Sequence, residues 1–166
     1  SRINQLVRRV AGTYWFHAAI YLGDGYLAQA TGPSPIPDES QVRVDSIYDT
    51  YWWLGDGLHD WVVMRPTTTA TIKDLATTYA RAKADQVNPY ILYNIDFFDK
   101  NTENRSYCSQ LVWQAYQRQN QGPDLEADRG ILTSIFAVVV TPDDLYYSIF
   151  ENKASLIQEK SALSGV

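Results

Sequence analysis

An Asp-Gly pair between two apolar runs sets the first element of the fold. Residues 17–22 and 26–31 have the composition of strands, and Gly23-Asp24-Gly25 lies between them. Asp-Gly is a strong short-range hairpin signal because both residues tolerate the left-handed backbone of a tight turn. The sequence therefore predicts that the two runs pair as antiparallel strands.

Two longer segments have helical spacing. Thr71 is a candidate N-cap, and the apolar positions after it predict a helix that ends near Asp85. Ser106 is the candidate N-cap of a second helix, which has Cys108 in its first turn and Gly122-Pro123 as its stop signal. These helices supply the surfaces that the predicted hairpin needs for a core.

Shorter segments complete the pattern. Residues 42–48 fit either a short strand or a helix, and both alternatives stay open, whereas residues 61–64 read as a strand that Pro66 ends. Thr141 and Pro142 predict the start of a further helix, because threonine caps helices and proline is accepted in their first turn. Residues 154–166 are expected to form a terminal helix or a frayed tail.

Length and charge exclude several classes of protein. A chain of 166 residues fits one domain over 1–166, and a net charge of −5 disfavours nucleic acid as a main partner. The longest apolar stretch, residues 135–140, is far too short to span a bilayer, so no transmembrane segment is expected. A single cysteine allows no intrachain disulfide. Compartment and oligomeric state stay open.

The single cysteine, Cys108, is a candidate nucleophile. In the first turn of a helix, free backbone N–H groups and the positive end of the macrodipole favour a thiolate. The same N–H groups suit the oxyanion of a tetrahedral intermediate. The alternative is a buried packing residue, because free cysteine is among the most buried residue types.

A nucleophilic cysteine needs a base, and the chain has two histidines, His17 and His59. His17 opens the first predicted strand beside small alanines, which leave room for another group to approach its ring. Its alternative role is a hydrogen-bonded histidine at a strand end. His59 follows Gly57-Leu58 and is expected in a solvated loop. His17 is therefore the candidate base.

The partner that orients His17 depends on the hairpin register. If Leu22 pairs with Tyr26, Gln29 lies diagonally from His17 on the same face of the sheet and can reach it. A two-residue turn would shift the register by one and send Gln29 to the other face. Gln29 would then be a polar strand residue facing water, and Thr31 is the alternative orienting residue.

Three sequence segments resemble the NlpC/P60 superfamily of cysteine peptidases. HAAIYLGDGYLAQATG (17–32) is similar to the histidine strand and the strand after it, with Gln29 at the third catalytic position. YNIDFFDKNTENRSYCSQLVWQAY (93–116) resembles the cysteine segment of the permuted YiiX/YebB-like group, and VVVTPDDLYYS (138–148) resembles its closing segment. In that group the histidine strand precedes the cysteine helix, as His17 precedes Cys108.

The resemblance implies a fold and a set of catalytic residues. The fold is α+β and circularly permuted papain-like, with an antiparallel sheet packed against helices and a recognisable core over 17–148. Cys108 is the nucleophile, His17 the base, Gln29 the orienting residue, and Tyr93 lies near the oxyanion or substrate site. No metal and no cofactor are implied.

Three functions fit the expected site. The first is a hydrolase of amide bonds, such as those of cell-wall peptides, which would place the protein in the cell envelope or outside the cell. The second is a lipid-directed acyltransferase or thioesterase that uses the same cysteine, and the third is a binding module without turnover. The substrate is thus a small peptide, amide or acyl compound. The choice between peptide and lipid substrates depends in part on an aromatic cluster, which fits either a substrate groove or the core: Tyr48, Tyr51, Trp52 and Trp53.

Overall fold

The computed structural model describes residues 14–32, 40–48, 60–87, 89–128 and 139–160. These residues form a mixed α+β structure in which antiparallel sheets pack against three helices. The strands are β1 (Ile20–Gly23), β2 (Tyr26–Ala30), β3 (Val42–Ser46), β4 (Trp61–Pro66), β5 (Leu92–Tyr93), β6 (Arg105–Ser106) and β7 (Ala154–Lys160). The helices are α1 (Ala70–Asp85), α2 (Cys108–Gln117) and α3 (Pro142–Tyr147), and a 3-10 turn (Ser148–Glu151) follows α3.

The predicted hairpin forms. Its turn is the two-residue one, but beyond a bulge its register is the one expected for the three-residue turn. Asp24 and Gly25 have left-handed φ angles of 51° and 81°, and they close a tight turn in which Gly23 pairs with Tyr26. A bulge between Tyr21 and Gly23 then adds one residue, so Ile20 faces Ala28. The bulge restores the register that the three-residue turn would give, and this puts Gln29 on the face expected for it.

Residues 42–46 form a strand and not a helix. Strand β3 pairs antiparallel with β2, with Gln29 opposite Arg43, and completes a sheet in the order β1-β2-β3. The N–H of Val42 donates to the carbonyl oxygen of Ile91 at 2.8 Å, which ties the sheet to the segment that leads into β5. This segment carries Tyr93 toward the cysteine helix.

The core lies between this sheet and helices α1 and α2. Small side chains line the contact between α1 and the sheet. Ala76 and Ala80 of α1 are fully buried, and so are Ala28 and Ala30 of β2. Alanine has no atoms beyond Cβ, so helix and sheet can pack closely here. Leu75, one of the apolar positions whose spacing predicts this helix, is 47% exposed.

Two helix caps differ from the predicted ones by one or two residues. Thr69, not Thr71, caps α1, and its side chain accepts a hydrogen bond from the N–H of Ile72. Tyr107, not Ser106, is the cap residue of α2, because Ser106 is still paired with Tyr93 in the small parallel ladder of β5 and β6. Cys108 is therefore the first residue of α2. Thr141 caps α3 as predicted.

The expectation of a terminal helix or tail after residue 154 is wrong for residues 154–160. They form β7, which pairs antiparallel with β4 from Trp61–Lys160 to Pro66–Ala154. Asn152, with a left-handed φ of 59°, ends the preceding turn and redirects the chain into the strand. These residues form a strand because they pair with β4, which lies about ninety residues earlier in the sequence. The local sequence pattern gives no information about a partner so far away.

Several sequence expectations lie outside the described residues. They concern His59, residues 51–53 of the aromatic cluster, residues 135–138 of the apolar stretch, and residues 161–166. Tyr48, the described member of the cluster, is 70% exposed. Over the part of the chain that the structure describes, no helix has the length and apolar character needed to cross a membrane.

Candidate active site

Cys108 is held at the amino end of α2 by contacts on both sides. The side-chain oxygen of Gln110 accepts the N–H of Tyr107 at 3.1 Å, and the Ser109 hydroxyl donates to the carbonyl oxygen of Val140 at 2.7 Å. As the first helical residue, Cys108 has a backbone N–H without a partner inside the helix. The thiol is thus fixed beside a hydrogen-bond donor that a substrate oxygen can use.

The segment before β1 positions His17. The Asp143 carboxylate of α3 accepts the backbone N–H groups of Tyr14 at 2.9 Å and Trp15 at 2.7 Å. Asp143 is only 2% exposed, so these bonds are shielded from water. His17 lies three residues before β1 and not within a strand, which differs from the sequence expectation. Helix α3 therefore helps to place the imidazole through the backbone.

The Cys108 and His17 side chains are in hydrogen-bond contact, although 91 positions separate them in the sequence. Burial acts to raise the pKa of Cys108. The hydrogen bond and charge of His17, together with the N–H groups of Ala18 and Ser109, outweigh burial and lower that pKa.

The pKa of His17 moves in the opposite direction. Burial acts to lower it, but the hydrogen bond and negative charge of Cys108, together with the Gln29 contact, raise it. A lowered thiol pKa and a raised imidazole pKa both favour a thiolate–imidazolium pair over a neutral pair. The arrangement thus favours an ionised sulfur nucleophile next to a proton donor.

Gln29 contacts His17 as the first register predicted. The His17 Nε2 atom lies 2.7 Å from the Oε1 atom of Gln29, which is 3% exposed. Because Nε2 faces Gln29, Nδ1 is the ring nitrogen left for Cys108. The hydroxyl of Thr31, the alternative orienting residue, donates to the carbonyl oxygen of Gln41 at 3.2 Å.

Tyr93 also reaches the cysteine. Its side chain makes a hydrogen bond with Cys108, and burial together with the negative charge of Cys108 raises the pKa of Tyr93. Gly32 makes room for the ring, because a Cβ atom there would lie 3.0 Å from Cγ of Tyr93. A protonated hydroxyl beside the sulfur is a donor for the sulfur or for a substrate oxygen.

Three further contributors were not found from the sequence. The backbone N–H of Ala18 contacts the Cys108 sulfur, Asp143 holds the chain before His17, and Asp45 accepts a hydrogen bond from Gln29. Val42 and Val44 alternate with charged residues, which is a strand signal. A strand at these positions, paired with the strand of Gln29, places Asp45 on the same face of the sheet as Gln29. The other two contacts have no local signal.

An apolar loop lies next to the site. Ile95, Phe97 and Phe98 are 63%, 42% and 66% exposed, and the Phe97 ring packs 5.4 Å from that of Tyr107, the residue before Cys108. The loop is held in place by the buried side chain of Asn94, which donates to Asp99 and Gln110 at 3.1 Å. Its apolar side chains are therefore exposed on a well-anchored backbone.

In the described ranges, no three His, Cys, Asp or Glu side chains cluster in a way that would hold a metal ion. The residues brought together are instead a cysteine, a histidine, an amide and a phenol, a set typical of nucleophilic catalysis. No family model, curated protein or solved structure matches the chain. The NlpC/P60 resemblance therefore stays a prediction, and the site is interpreted from its own geometry.

Proposed function

We propose that the protein is a cysteine hydrolase that cleaves an amide bond through an acyl-enzyme. One observation carries the proposal: Cys108 and His17 are in contact, with the thiol pKa lowered and the imidazole pKa raised. Structural cysteines in a core lack such a partner and are harder to ionise when buried. The Gln29 contact supports the same assignment, because a catalytic imidazole needs an orienting group.

Acylation follows from the positions of the groups. The Cys108 thiolate attacks the carbonyl carbon, and the oxyanion is stabilised by the backbone N–H of Cys108 and by the hydroxyl of Tyr93, which contacts the cysteine. His17, as imidazolium, gives its Nδ1 proton to the leaving amine as the C–N bond breaks. A thioester and a free amine result.

Deacylation uses the same groups in reverse order. Neutral His17 takes a proton from water, and the hydroxide equivalent attacks the thioester carbon. The C–S bond breaks, the acid leaves, and the thiolate–imidazolium pair forms again. Gln29 accepts from Nε2 throughout, so the ring keeps Nδ1 toward the reacting atoms.

The proposal includes a permuted papain-like arrangement of the NlpC/P60 type. In its support, His17 and an antiparallel hairpin that carries Gln29 precede a helix that begins at Cys108, and that helix packs against the sheet. The chain order, histidine before cysteine, agrees with the permuted group that the sequence resembles.

A substrate panel tests the chemistry. Wild type and Cys108→Ser are assayed against peptide amides, carboxylic esters and acyl thioesters, and a covalent acyl adduct is sought by mass spectrometry. We expect turnover and a trapped adduct at Cys108 in wild type only. Equal rates in both proteins would reject Cys108 as the nucleophile.

A lipid-directed acyltransferase or thioesterase is the second candidate, and the apolar loop favours it. Ile95, Phe97 and Phe98 expose apolar surface beside the nucleophile, where an acyl chain would bury it. The discriminating variant is Phe98→Ser, with Phe150→Ser as control, because Phe150 is similarly exposed and packs against Tyr146 and Tyr147 instead. A raised KM for long acyl thioesters alone favours the second candidate, and unchanged KM values for them oppose it.

A further inference from the structure

A chain of hydrogen bonds continues from Gln29 to the neighbouring strand. The Nε2 atom of Gln29 donates to Oδ2 of Asp45 at 2.5 Å, and Arg43 Nε donates to the same oxygen at 2.7 Å. In the β2–β3 register Gln29 is opposite Arg43, so Asp45 stands diagonally from Gln29 on the same face. The Asp45 side chain is 16% exposed, which places this contact at the edge of the buried site.

We propose that Asp45 is a positioning residue that fixes which end of the Gln29 amide faces His17. The inference rests on the proposed cysteine hydrolase, whose base is His17. The oxygen and NH₂ ends of an amide have nearly the same shape, so packing does not choose between them. A carboxylate offers only acceptors. Asp45 therefore selects the orientation in which the NH₂ group of Gln29 points away from His17.

This orientation decides the protonation of the imidazole. With Oε1 of Gln29 toward it, His17 Nε2 must carry a hydrogen, and Nδ1 is left to exchange a proton with Cys108. With the amide reversed, an NH₂ group would face Nε2, and the N–H of an imidazolium would meet another donor. The reversed amide would therefore oppose the thiolate–imidazolium pair on which the mechanism depends.

Arg43 gives the carboxylate a fixed position. Its Nε atom binds the same oxygen that accepts from Gln29, and its own side chain is 29% exposed. The competing interpretation is an ordinary surface ion pair between Arg43 and Asp45, which would have little effect on activity. The two interpretations differ in what happens at Cys108 when Asp45 loses its charge.

The variant Asp45→Asn makes that comparison, since an asparagine can face Gln29 with either end of its amide. We expect the pH midpoint of Cys108 ionisation to rise. We also expect kcat on an amide substrate to fall about 10- to 100-fold with KM unchanged, the range for one hydrogen bond to a charged group. The control is Asp24→Asn, which removes a charge from the exposed turn of the same hairpin and should change neither value.

A rescue variant excludes a general structural effect. In Gln29→Glu/Asp45→Asn, the introduced carboxylate can accept from both His17 and the new amide, so we expect the ionisation midpoint to return to the wild-type value or below. Should Asp45→Asn not fold, this double variant decides alone: an ordinary cysteine midpoint would overturn the proposal. An unchanged midpoint in folded Asp45→Asn would overturn it as well.

The two readouts separate this proposal from the proposed function. Ionisation of Cys108 is followed by ultraviolet absorbance and alkylation, which require no substrate. A wild-type protein with a shifted midpoint but no turnover on the panel would defeat the hydrolase, and the midpoint of Asp45→Asn would still decide the role of Asp45.

Discussion

Replacement of His17 by alanine tests the ion pair directly. In wild type, burial acts to raise the pKa of Cys108, and the contact with His17 lowers it below the ordinary value. In His17→Ala the burial remains, because Cys108 is only 6% exposed, while the opposing charge is gone. We therefore expect the pKa of Cys108 to rise to the ordinary value of about 8.5 or above.

The expected change is a smaller ionised fraction of Cys108 in His17→Ala at neutral and mildly acidic pH. A thiol with a pKa of about 8.5 is roughly 3% ionised at pH 7, and only about 0.1% ionised at pH 5.5. Wild type should hold a larger thiolate fraction than His17→Ala at both pH values. Alkylation rates alone understate the change, because a less acidic thiol gives a more nucleophilic thiolate.

The assay is therefore thiolate absorbance against pH, supported by iodoacetamide alkylation. The chain has one cysteine, so Cys108→Ser provides the complete blank, and His59→Ala controls for loss of a histidine. Superimposable titrations of wild type and His17→Ala, both with an ordinary midpoint, would refute the ion pair. A low midpoint retained in His17→Ala would show that the helix end and the N–H groups lower the pKa without the imidazole.

Four further predictions concern activity and stability. Tyr93→Phe should lower kcat roughly tenfold, because in the proposed mechanism its hydroxyl donates to the oxyanion; an unchanged kcat opposes that role. Leu111→Ala should lower the free energy of unfolding by about 2–5 kcal/mol in urea titration, since Leu111 is 1% exposed. Thr69→Ala should cost about 1 kcal/mol through the lost cap of α1. An ion pair in the folded protein requires the stability difference between wild type and Cys108→Ser/His17→Ala to be largest between about pH 6.5 and 8.5 and to fall on both sides, because the unfolded wild-type chain binds one proton more than the folded pair below this range and one fewer above it. A difference that is constant from acid to alkali would contradict the paired shifts.

Local signals predicted the elements that carry the site. The turn residues Asp24 and Gly25 define the hairpin, and the stop and spacing signals around Cys108 define its helix. The exact cap position of α2 was missed because tertiary pairing of Ser106 with Tyr93 delays the start of the helix by one residue. Propensity alone does not report such competition.

Contacts between distant segments could not be read from local pattern. Strand β7 exists because it pairs with β4, and the His17–Cys108 contact crosses 91 positions of sequence. The chemistry of the two residue types and a family resemblance suggested that contact, and periodicity did not. Asp45 was missed for a different reason: from the sequence, residues 42–48 fit either a strand or a helix, and only a strand brings Asp45 beside Gln29.

The buried location of the pair makes its surroundings decisive. Two unit charges about 4 Å apart attract by about 4 kcal/mol at an effective dielectric of 20, while burial of each ion costs several kcal/mol. The attraction between Cys108 and His17 therefore does not by itself ensure the charged form. Hydrogen bonds to charged groups contribute about 1.5–3 kcal/mol each: the sulfur accepts them from the N–H groups of Ala18 and Ser109, and the imidazolium donates one to Oε1 of Gln29. Each of these hydrogen bonds contributes about as much free energy as the difference between the ionic attraction and the cost of burial. We therefore expect that loss of one donor, or reversal of the Gln29 amide, returns the pair to thiol and imidazole while the Cys–His contact stays in place.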